Sequence, residues 1–251
     1  MHNAEFHHPR LVQVYDAQCR WGADDDFFLS LAEGISHARI LDLGCGTGRL
    51  TVALASAGHA VTGLDPAHAS LQAAQRKPGA EKVTWIAGKA ADAPTAAFDL
   101  ALMTSHVAQF LMGDGEWADA LANLHRALAP GGRLVFDTRD PQNRVWEVWA
   151  ADPSKDHYRL PDESGVEVWT EVTKVEEGEP SGPLVTFVHH YTFTDSPEEL
   201  LSRSTLCFRP EKTLRSSLEA AGFEIEHIFG GWHREPAGQG DGELIVVARA
   251  K

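Results

Sequence analysis

The sequence contains few cysteines. The three that it has are Cys19, Cys45 and Cys207, and they form neither a C-x-x-C pair nor a cysteine–histidine zinc pattern. Sparse, unpaired cysteines are typical of reduced thiols in the cytosol rather than of a secreted disulfide framework. We therefore predict a cytoplasmic protein without disulfides.

Long apolar runs are also missing. No apolar stretch approaches the roughly 20 residues that a helix needs to span a bilayer. The first residues lack the basic and apolar regions of a signal peptide. Internal repeats and low-complexity segments are absent as well. We expect no membrane partner.

Basic residues are scarce: 22 Lys and Arg stand against 36 Asp and Glu, which leaves a net charge of −14. Binding to nucleic-acid phosphates normally demands a basic face, so this balance opposes a nucleic-acid partner. The length of 251 residues fits one large domain, or one domain with an inserted cap, and a hydrophobic fraction of 43% is ample for a packed core.

One stretch, residues 40–48, combines a short apolar run with Gly44, Gly46 and Gly48 and precedes a predicted helix over residues 49–58. Each glycine costs about 0.5–1 kcal/mol relative to alanine inside regular structure. A backbone without Cβ atoms lets a ligand approach a helix N-terminus closely. The pattern predicts a strand, turn and helix that bind a nucleotide-like cofactor.

The spacing of these glycines separates two classes of cofactor. A dinucleotide-binding turn has the pattern G-x-G-x-x-G, but here the pattern is G-x-G-x-G, with Asp42 two residues ahead. Residues 60–64 read as a second strand, and Asp65 follows directly. A carboxylate in that position suits the hydroxyls of a ribose.

These positions resemble the signature of class I methyltransferases that use S-adenosylmethionine: Asp42, Gly44, Gly46, Gly48 and Asp65. The resemblance extends from about Tyr15 to the end of the chain and includes the segment LAPGGRLVFDT. It implies S-adenosylmethionine as the cofactor, with its methionine portion on the glycine turn and its ribose on Asp65. It also implies an N-terminal segment that closes the cofactor site, with Tyr15 in the wall.

The predicted third strand, residues 82–87, ends at Gly88. Related enzymes commonly carry an acid directly after this glycine, placed to meet the adenine amino group, but this chain has Lys89. Asp92 is the candidate to replace that acid, with a backbone N–H near Ala90 contacting the ring. The alternative is that Asp92 only caps a turn.

The predicted fourth strand, residues 98–103, is followed by Thr104, Ser105 and His106. Residues just past the carboxyl end of a parallel strand face the ligand crevice. We therefore expect Ser105 to contact the cofactor and His106 to bind the substrate or accept its proton, a role that typically contributes 10²–10⁴-fold to the rate. The alternative for His106 is a helix cap.

The order of elements predicts an α/β fold with a doubly wound, seven-stranded, mostly parallel sheet. Residues 166–175, 184–194 and 201–208 alternate apolar and polar side chains, which indicates an antiparallel β cap inserted after the fifth strand. The closing strands, residues 223–229 and 243–250, resemble the family's hairpin with an antiparallel last strand. We predict a cofactor domain of residues 1–139 and 209–251 and a substrate cap of residues 140–208.

The predicted function is methyl transfer from S-adenosylmethionine to an N or O atom of a small molecule. Two alternatives stay open: a catalytically inactive S-adenosylmethionine-binding protein, suggested by Lys89, and a nicotinamide-dependent oxidoreductase, disfavoured by the glycine spacing. A nucleic-acid methyltransferase is disfavoured by the acidic net charge. It is also disfavoured because the fourth strand is followed by Thr-Ser-His-Val and not by an Asn/Asp-Pro-Pro-aromatic motif. The residues near Asp137 and Asp140 show no metal-binding spacing, so we expect no metal site.

Overall fold

The structure, a computed structural model, describes residues 1–151, 154–178 and 181–251. Its strands are β1 (Arg39–Leu43), β2 (Ala60–Asp65), β3 (Thr84–Ala87), β4 (Phe98–Met103), β5 (Leu128–Arg139), β6 (Asp156–Arg159), β7 (Gly165–Glu176), β8 (Leu184–Phe193), β9 (Glu199–Cys207), β10 (Phe223–Phe229) and β11 (Glu243–Ala250). Its α-helices are α1 (Ala4–His7), α2 (Pro9–Gln18), α3 (Ala23–Glu33), α4 (Arg49–Ser56), α5 (His68–Ala74), α6 (Val107–Phe110), α7 (Asp114–Ala127), α8 (Val145–Ala151) and α9 (Glu211–Ala220).

Seven strands form the central sheet in the order β10-β11-β5-β4-β1-β2-β3. β1 pairs in parallel with β2 and β4, and β5 continues the parallel set beside β4. β11 is antiparallel to both of its neighbours, β5 and β10. The prediction of a mostly parallel sheet with an antiparallel last strand is confirmed.

Successive side chains along each strand of this sheet point to opposite faces. On one face Leu41 and Met103 pack with apolar residues of α7 and α9. On the other face Ile40 and Leu102 pack with apolar residues of α3 and α4. Helices cover both faces and bury most of β1, β2 and β4, whereas the edge strand β3 stays partly exposed.

The parallel register brings functional positions to one edge. Leu43 pairs with Leu64, and Asp42 pairs with Leu102, so β1, β2 and β4 end at the same level. The glycine turn after β1, the end of β2 and the segment after β4 therefore meet at the carboxyl edge of the sheet. Open α/β sheets bind their ligands at this edge.

The predicted cap corresponds to a second, antiparallel sheet in the order β6-β7-β8-β9. It has four strands where the alternation predicted three. The additional strand, β6, is only four residues long with the sequence DHYR, too short and too polar for a recognisable alternation. The domain boundaries at residues 139 and 209 stay a prediction.

Two element boundaries also differ from those that the sequence predicts, which are residues 132–137 for the fifth strand and residues 27–33 for the helix after the three aspartates. β5 begins at Leu128 rather than at residue 132, because the Pro-Gly-Gly segment is accommodated within the strand as an irregularity in its pairing with β4. α3 begins at Ala23, with Gly22 as N-cap, so the three aspartates of the segment 24–26 lie in its first turn. Acidic side chains in the first turn stabilise a helix because they interact favourably with the positive end of its dipole.

The N-terminal segment connects the two sheets. The Asn3 amide donates to the Arg203 carbonyl on β9 at 2.9 Å. The buried Glu5 carboxylate accepts hydrogen bonds from the hydroxyls of Ser202 and Ser204. The Phe6 carbonyl accepts from the hydroxyl of a serine on α5. Within the described residues, no helix is long and apolar enough to cross a bilayer.

Arg209, between β9 and α9, is the largest polar side chain in the interior and is only 2% exposed. Its guanidinium donates to the carbonyls of Leu111 at 2.5 Å and of Ala108 and Met112 at 3.3 Å. The same group lies 4.8 Å from the ring centroid of Trp117. Arg209 thus holds the segment between α6 and α7, which follows the functional edge.

We predict that Arg209→Ala lowers the free energy of unfolding by about 3–5 kcal/mol, because it removes the partner of one buried and two half-buried carbonyls and leaves a cavity. Urea unfolding followed by circular dichroism measures this change. The matched control is Arg215→Ala on α9, which loses an exposed pair with Glu211 and should change stability by less than about 1 kcal/mol. Equal losses in the two variants would contradict the prediction.

Candidate active site

A cavity of about 840 Å³ opens at the carboxyl edge of the central sheet. Its wall comes from the glycine turn, the end of β2, the segments after β3 and β4, one face of α7, and the N-terminal helices. The predicted site residues in the wall are Tyr15, Asp42, Gly44, Gly46, Asp65, Ala90 and Ser105. The tertiary structure therefore brings together most of the residues that the sequence predicted.

The three glycines of the turn have different roles, although all have positive φ. A Cβ atom on Gly44 would lie 2.5 Å from Val107, and one on Gly48 would lie 2.7 Å from Trp85. A Cβ on Gly46 would meet only the Gly44 carbonyl, at 4.0 Å. Gly44 and Gly48 are thus required by packing within the protein, and the open space for a ligand lies over Gly46.

Asp65 joins the second strand to this turn. Its Oδ2 accepts from the Gly46 amide at 2.8 Å, and its Oδ1 accepts from the Ala67 amide at 2.7 Å. Burial raises the pKa of this carboxyl, and the two amide donors oppose the rise. Each carboxylate oxygen has a further lone pair for a ligand hydroxyl. Asp65 therefore faces the cavity as an oriented acceptor.

Asp42 lies beneath the turn and is 1% exposed. The Thr51 hydroxyl donates to its Oδ2 at 2.5 Å, whereas Oδ1 has no hydrogen-bond partner among the described residues. Burial raises the pKa of Asp42 to about 6. A buried acceptor without a partner costs free energy, and a cationic donor bound in the cavity would remove that cost.

The N-terminal helices cover one side of the cavity with aromatic rings. Phe6 packs edge-to-face on Tyr15 and on Phe110, with both centroid separations at 5.5 Å. All three residues line the cavity. Burial raises the pKa of the Tyr15 phenol, so it stays neutral near pH 7. These three rings give the cavity an apolar wall.

Polar contacts hold these helices against the glycine turn. The Thr47 hydroxyl donates to Asp16, which also accepts from Lys77 Nζ at 2.9 Å. Arg49 donates to the Cys19 carbonyl at 2.6 Å and to Asp25 at 3.0 Å. The contacts of Asp16 and Arg49 thus connect the C-terminal end of the glycine turn to α2 and α3.

The segment after β3 has a short 3₁₀ turn, Ala90–Asp92, whose first residue lines the cavity together with Lys89. The Asp92 Oδ2 accepts from the Lys89 amide at 2.8 Å, which is the capping contact of this turn. The geometry agrees with the capping alternative for Asp92. Its contact with the cofactor stays a prediction.

Sequence reasoning missed the contribution of α7, which packs on this 3₁₀ turn. Five polar or small positions of the helix line the cavity: Gly115, Glu116, Asp119, Ala120 and Asn123. Their spacing of three to four residues identifies one helical face. That signal was present in the sequence, but nothing there indicated which side of the sheet α7 covers.

His106 lies at the N-cap position of α6, between Ser105 and Val107, both of which line the cavity. Its own side chain makes no capping bond; its Nε2 lies 3.0 Å from Glu243 Oε1 at the start of β11. Its backbone amide donates to Asp137 Oδ2 at 2.9 Å. The predicted role of His106 as a base stays a prediction, and the two acids are partners that the sequence did not reveal.

Asp137, Glu243 and His106 are the three described residues whose side chains converge as a candidate metal-binding group. They are far apart in the chain: His106 follows β4, Asp137 lies near the end of β5, and Glu243 is the first residue of β11. We expected no metal site because possible ligands near Asp137 lack a metal-binding spacing in the sequence. Such spacing cannot reveal a group whose members are distant in the chain.

Comparison with known proteins finds a methyltransferase domain in this chain and similar proteins. Residues 40–132 match the family model described as "Methyltransferase domain". The chain is 34% identical over 112 residues to the uncharacterized methyltransferase sll0829 of Synechocystis sp., covering 44% of this chain and 51% of that protein. It is 32% identical over 143 residues to a malonyl-[acyl-carrier protein] O-methyltransferase of Salmonella typhimurium, covering 55% of each.

The chain thus spans about half the length of the curated relatives that it matches. Among solved structures, CalS10, an amino pentose methyltransferase from Micromonospora echinaspora with S-adenosylmethionine bound, has a TM-score of 0.70 at 24% identity. The match covers 95% of both chains. Residues 40–132 thus match a methyltransferase domain, and the chain has the fold of S-adenosylmethionine-dependent methyltransferases, as the sequence resemblance predicted.

Proposed function

We propose that this chain transfers a methyl group from S-adenosylmethionine to an N or O atom of a small-molecule acceptor. The observation that carries the proposal is the convergence of three features on one cavity wall: the partnerless carboxylate oxygen of Asp42, the open backbone at Gly46, and the oriented carboxylate of Asp65.

These residues fit the cofactor group by group. The Asp42 carboxylate would accept from the ammonium of the methionine portion, and the open backbone at Gly46 would leave room for that portion. Asp65 would accept from the ribose hydroxyls, and the backbone at Ala90 would contact the adenine. When bound, S-adenosylmethionine supplies a methyl group already activated by its sulfonium centre.

The role of the protein is therefore to align the acceptor and to exclude water. Alignment of two reactants contributes up to about 7–11 kcal/mol to lowering a barrier. Phe6, Tyr15 and Phe110 form the rigid apolar wall suited to this task. Residues 140–208, the predicted cap, complete the acceptor pocket in this proposal.

Two features support a small acceptor. The N-terminal helices cover one side of the cavity, and the net charge of −14 opposes nucleic-acid phosphates. The relatives include an O-methyltransferase and an amino pentose methyltransferase, so both acceptor atoms occur among similar proteins.

A turnover experiment tests the proposal. The protein is incubated with S-adenosylmethionine and panels of amines and alcohols, and mass spectrometry detects S-adenosylhomocysteine and the methylated product. Product formation is expected. Cofactor binding without turnover of any acceptor would favour the inactive binding protein suggested by Lys89. Fluorescence titration with NADH tests the oxidoreductase alternative, for which no binding is expected.

We predict that Asp65→Ala weakens binding of S-adenosylhomocysteine by about 1.5–3 kcal/mol, because a charge-assisted acceptor for the ribose is lost. Isothermal titration calorimetry measures this difference directly. Asp156→Ala, at an exposed position on β6, is the matched control and should leave the affinity unchanged. An unaltered affinity in Asp65→Ala would remove Asp65 from the site.

Cofactor binding should also depend on pH through Asp42, whose pKa is about 6. Above that pH the carboxylate is charged and attracts the cofactor ammonium; below it the carboxyl is neutral. The affinity for S-adenosylhomocysteine should therefore fall as the pH drops through about 6. Asp42→Asn should bind more weakly at neutral pH with a flatter profile. Parallel profiles for the two proteins would show that another group is responsible.

A further inference from the structure

We propose that His106, Asp137 and Glu243 form a binding site for a divalent transition-metal ion, with Zn²⁺ as the best match. The site lies at the ends of β4 and β5 and the start of β11, beside the cofactor cavity. It is separate from the groups that we assign to the cofactor, and it does not depend on the proposed methyl transfer.

The distances within the group suit metal coordination. His106 Nε2 lies 3.0 Å from Glu243 Oε1 and 3.4 Å from Asp137 Oδ2. One ligand atom from each of the three residues lies within 4.8 Å of the other two. Ligands bonded to zinc at about 2.0–2.2 Å are separated from one another by about 3.0–3.5 Å in tetrahedral or octahedral arrangements. Small side-chain movements would therefore admit the ion.

A second observation points independently to a ligand. Asp137 is 1% exposed, and its Oδ1 has no hydrogen-bond partner among the described residues. The other oxygen of the same carboxylate faces the ring of His106. The nearby Arg139 guanidinium donates to Gln109 at 3.0 Å. A cation held by the Asp137 carboxylate would satisfy the remaining buried oxygen.

The backbone holds the ligands in place before any ion binds. Ser105 and His106 have φ values of 54° and 64°, an uncommon left-handed conformation for residues other than glycine. The hydrogen bond from the His106 amide to Asp137 stabilises this conformation. Asp137 and Glu243 lie on paired strands of the central sheet, β5 and β11. Ligands on such rigid elements form precise sites.

The donor set selects the ion. One imidazole and two carboxylates suit Zn²⁺, and to a lesser degree Mn²⁺, whereas Mg²⁺ prefers oxygen ligands and bound water. Three protein ligands leave a fourth position for water or for a ligand oxygen or nitrogen. Because Ser105 and Val107 line the cavity on either side of His106, that position lies close to where the acceptor would bind.

The test uses the full chain, first freed of metal with a chelator and then dialysed. Calorimetric titration with Zn²⁺ should show one site per chain, Mn²⁺ should bind more weakly, and Mg²⁺ should not bind measurably. Glu243→Gln should weaken Zn²⁺ binding at least about tenfold, and His106→Ala should abolish it. The control, His157→Ala, removes an exposed histidine near Glu167 and should retain the site.

A second measurement distinguishes a lost site from a damaged fold. Zn²⁺ should raise the melting temperatures of the wild-type chain and of His157→Ala equally, and at the same Zn²⁺ concentration it should raise that of Glu243→Gln less. Absence of Zn²⁺ binding by the wild-type chain would overturn the proposal. Equal binding by the wild type and Glu243→Gln would do the same, because the ion would then occupy a different site. Both readouts are independent of turnover, so failure of the methyl-transfer proposal would be recognised separately.

Discussion

The site depends on one hydrogen bond, from the Gly46 amide to Asp65 Oδ2, because it joins the turn after β1 to the end of β2. This contact is possible because the two strands are parallel and end in register. It orients the Asp65 carboxylate and fixes the position of the Gly46 backbone in the cavity wall. Binding groups that lie apart in sequence are thereby held in one rigid arrangement, which reduces the entropy lost when a cofactor binds.

The N-terminal helices complete this arrangement from the opposite side. Asp16 and Arg49 connect them to the glycine turn, and Glu5 connects them to the second sheet. The aromatic wall of the cavity therefore depends on contacts with both sheets. A buried carboxylate at Glu5 is stable here because hydroxyl donors surround it, which offsets part of its desolvation. The fold thus encloses the cavity through polar contacts as well as apolar packing.

Much of the fold was predictable, and for physical reasons. Apolar runs bounded by glycine mark buried strands, so residues 40–48 and Asp65 indicated both the first two strands at the site and the class of its cofactor. The same reasoning missed β6, which is too short to show a period, and the continuation of β5 through its Pro-Gly-Gly segment. In both places pairing with a neighbouring strand outweighed the local preference of the chain.

The sequence by itself determined the α/β class, the glycine turn, and the carboxylates at positions 42 and 65, because each depends on residues that are neighbours in the chain or follow a strand directly. Only the tertiary structure decided two sets of contacts. The indole ring of Trp85 packs against Gly48 behind the turn, and His106 contacts Asp137 and Glu243. Those contacts join distant segments at the sheet edge. Their geometry is set by strand register and packing, and neither can be predicted from local sequence patterns.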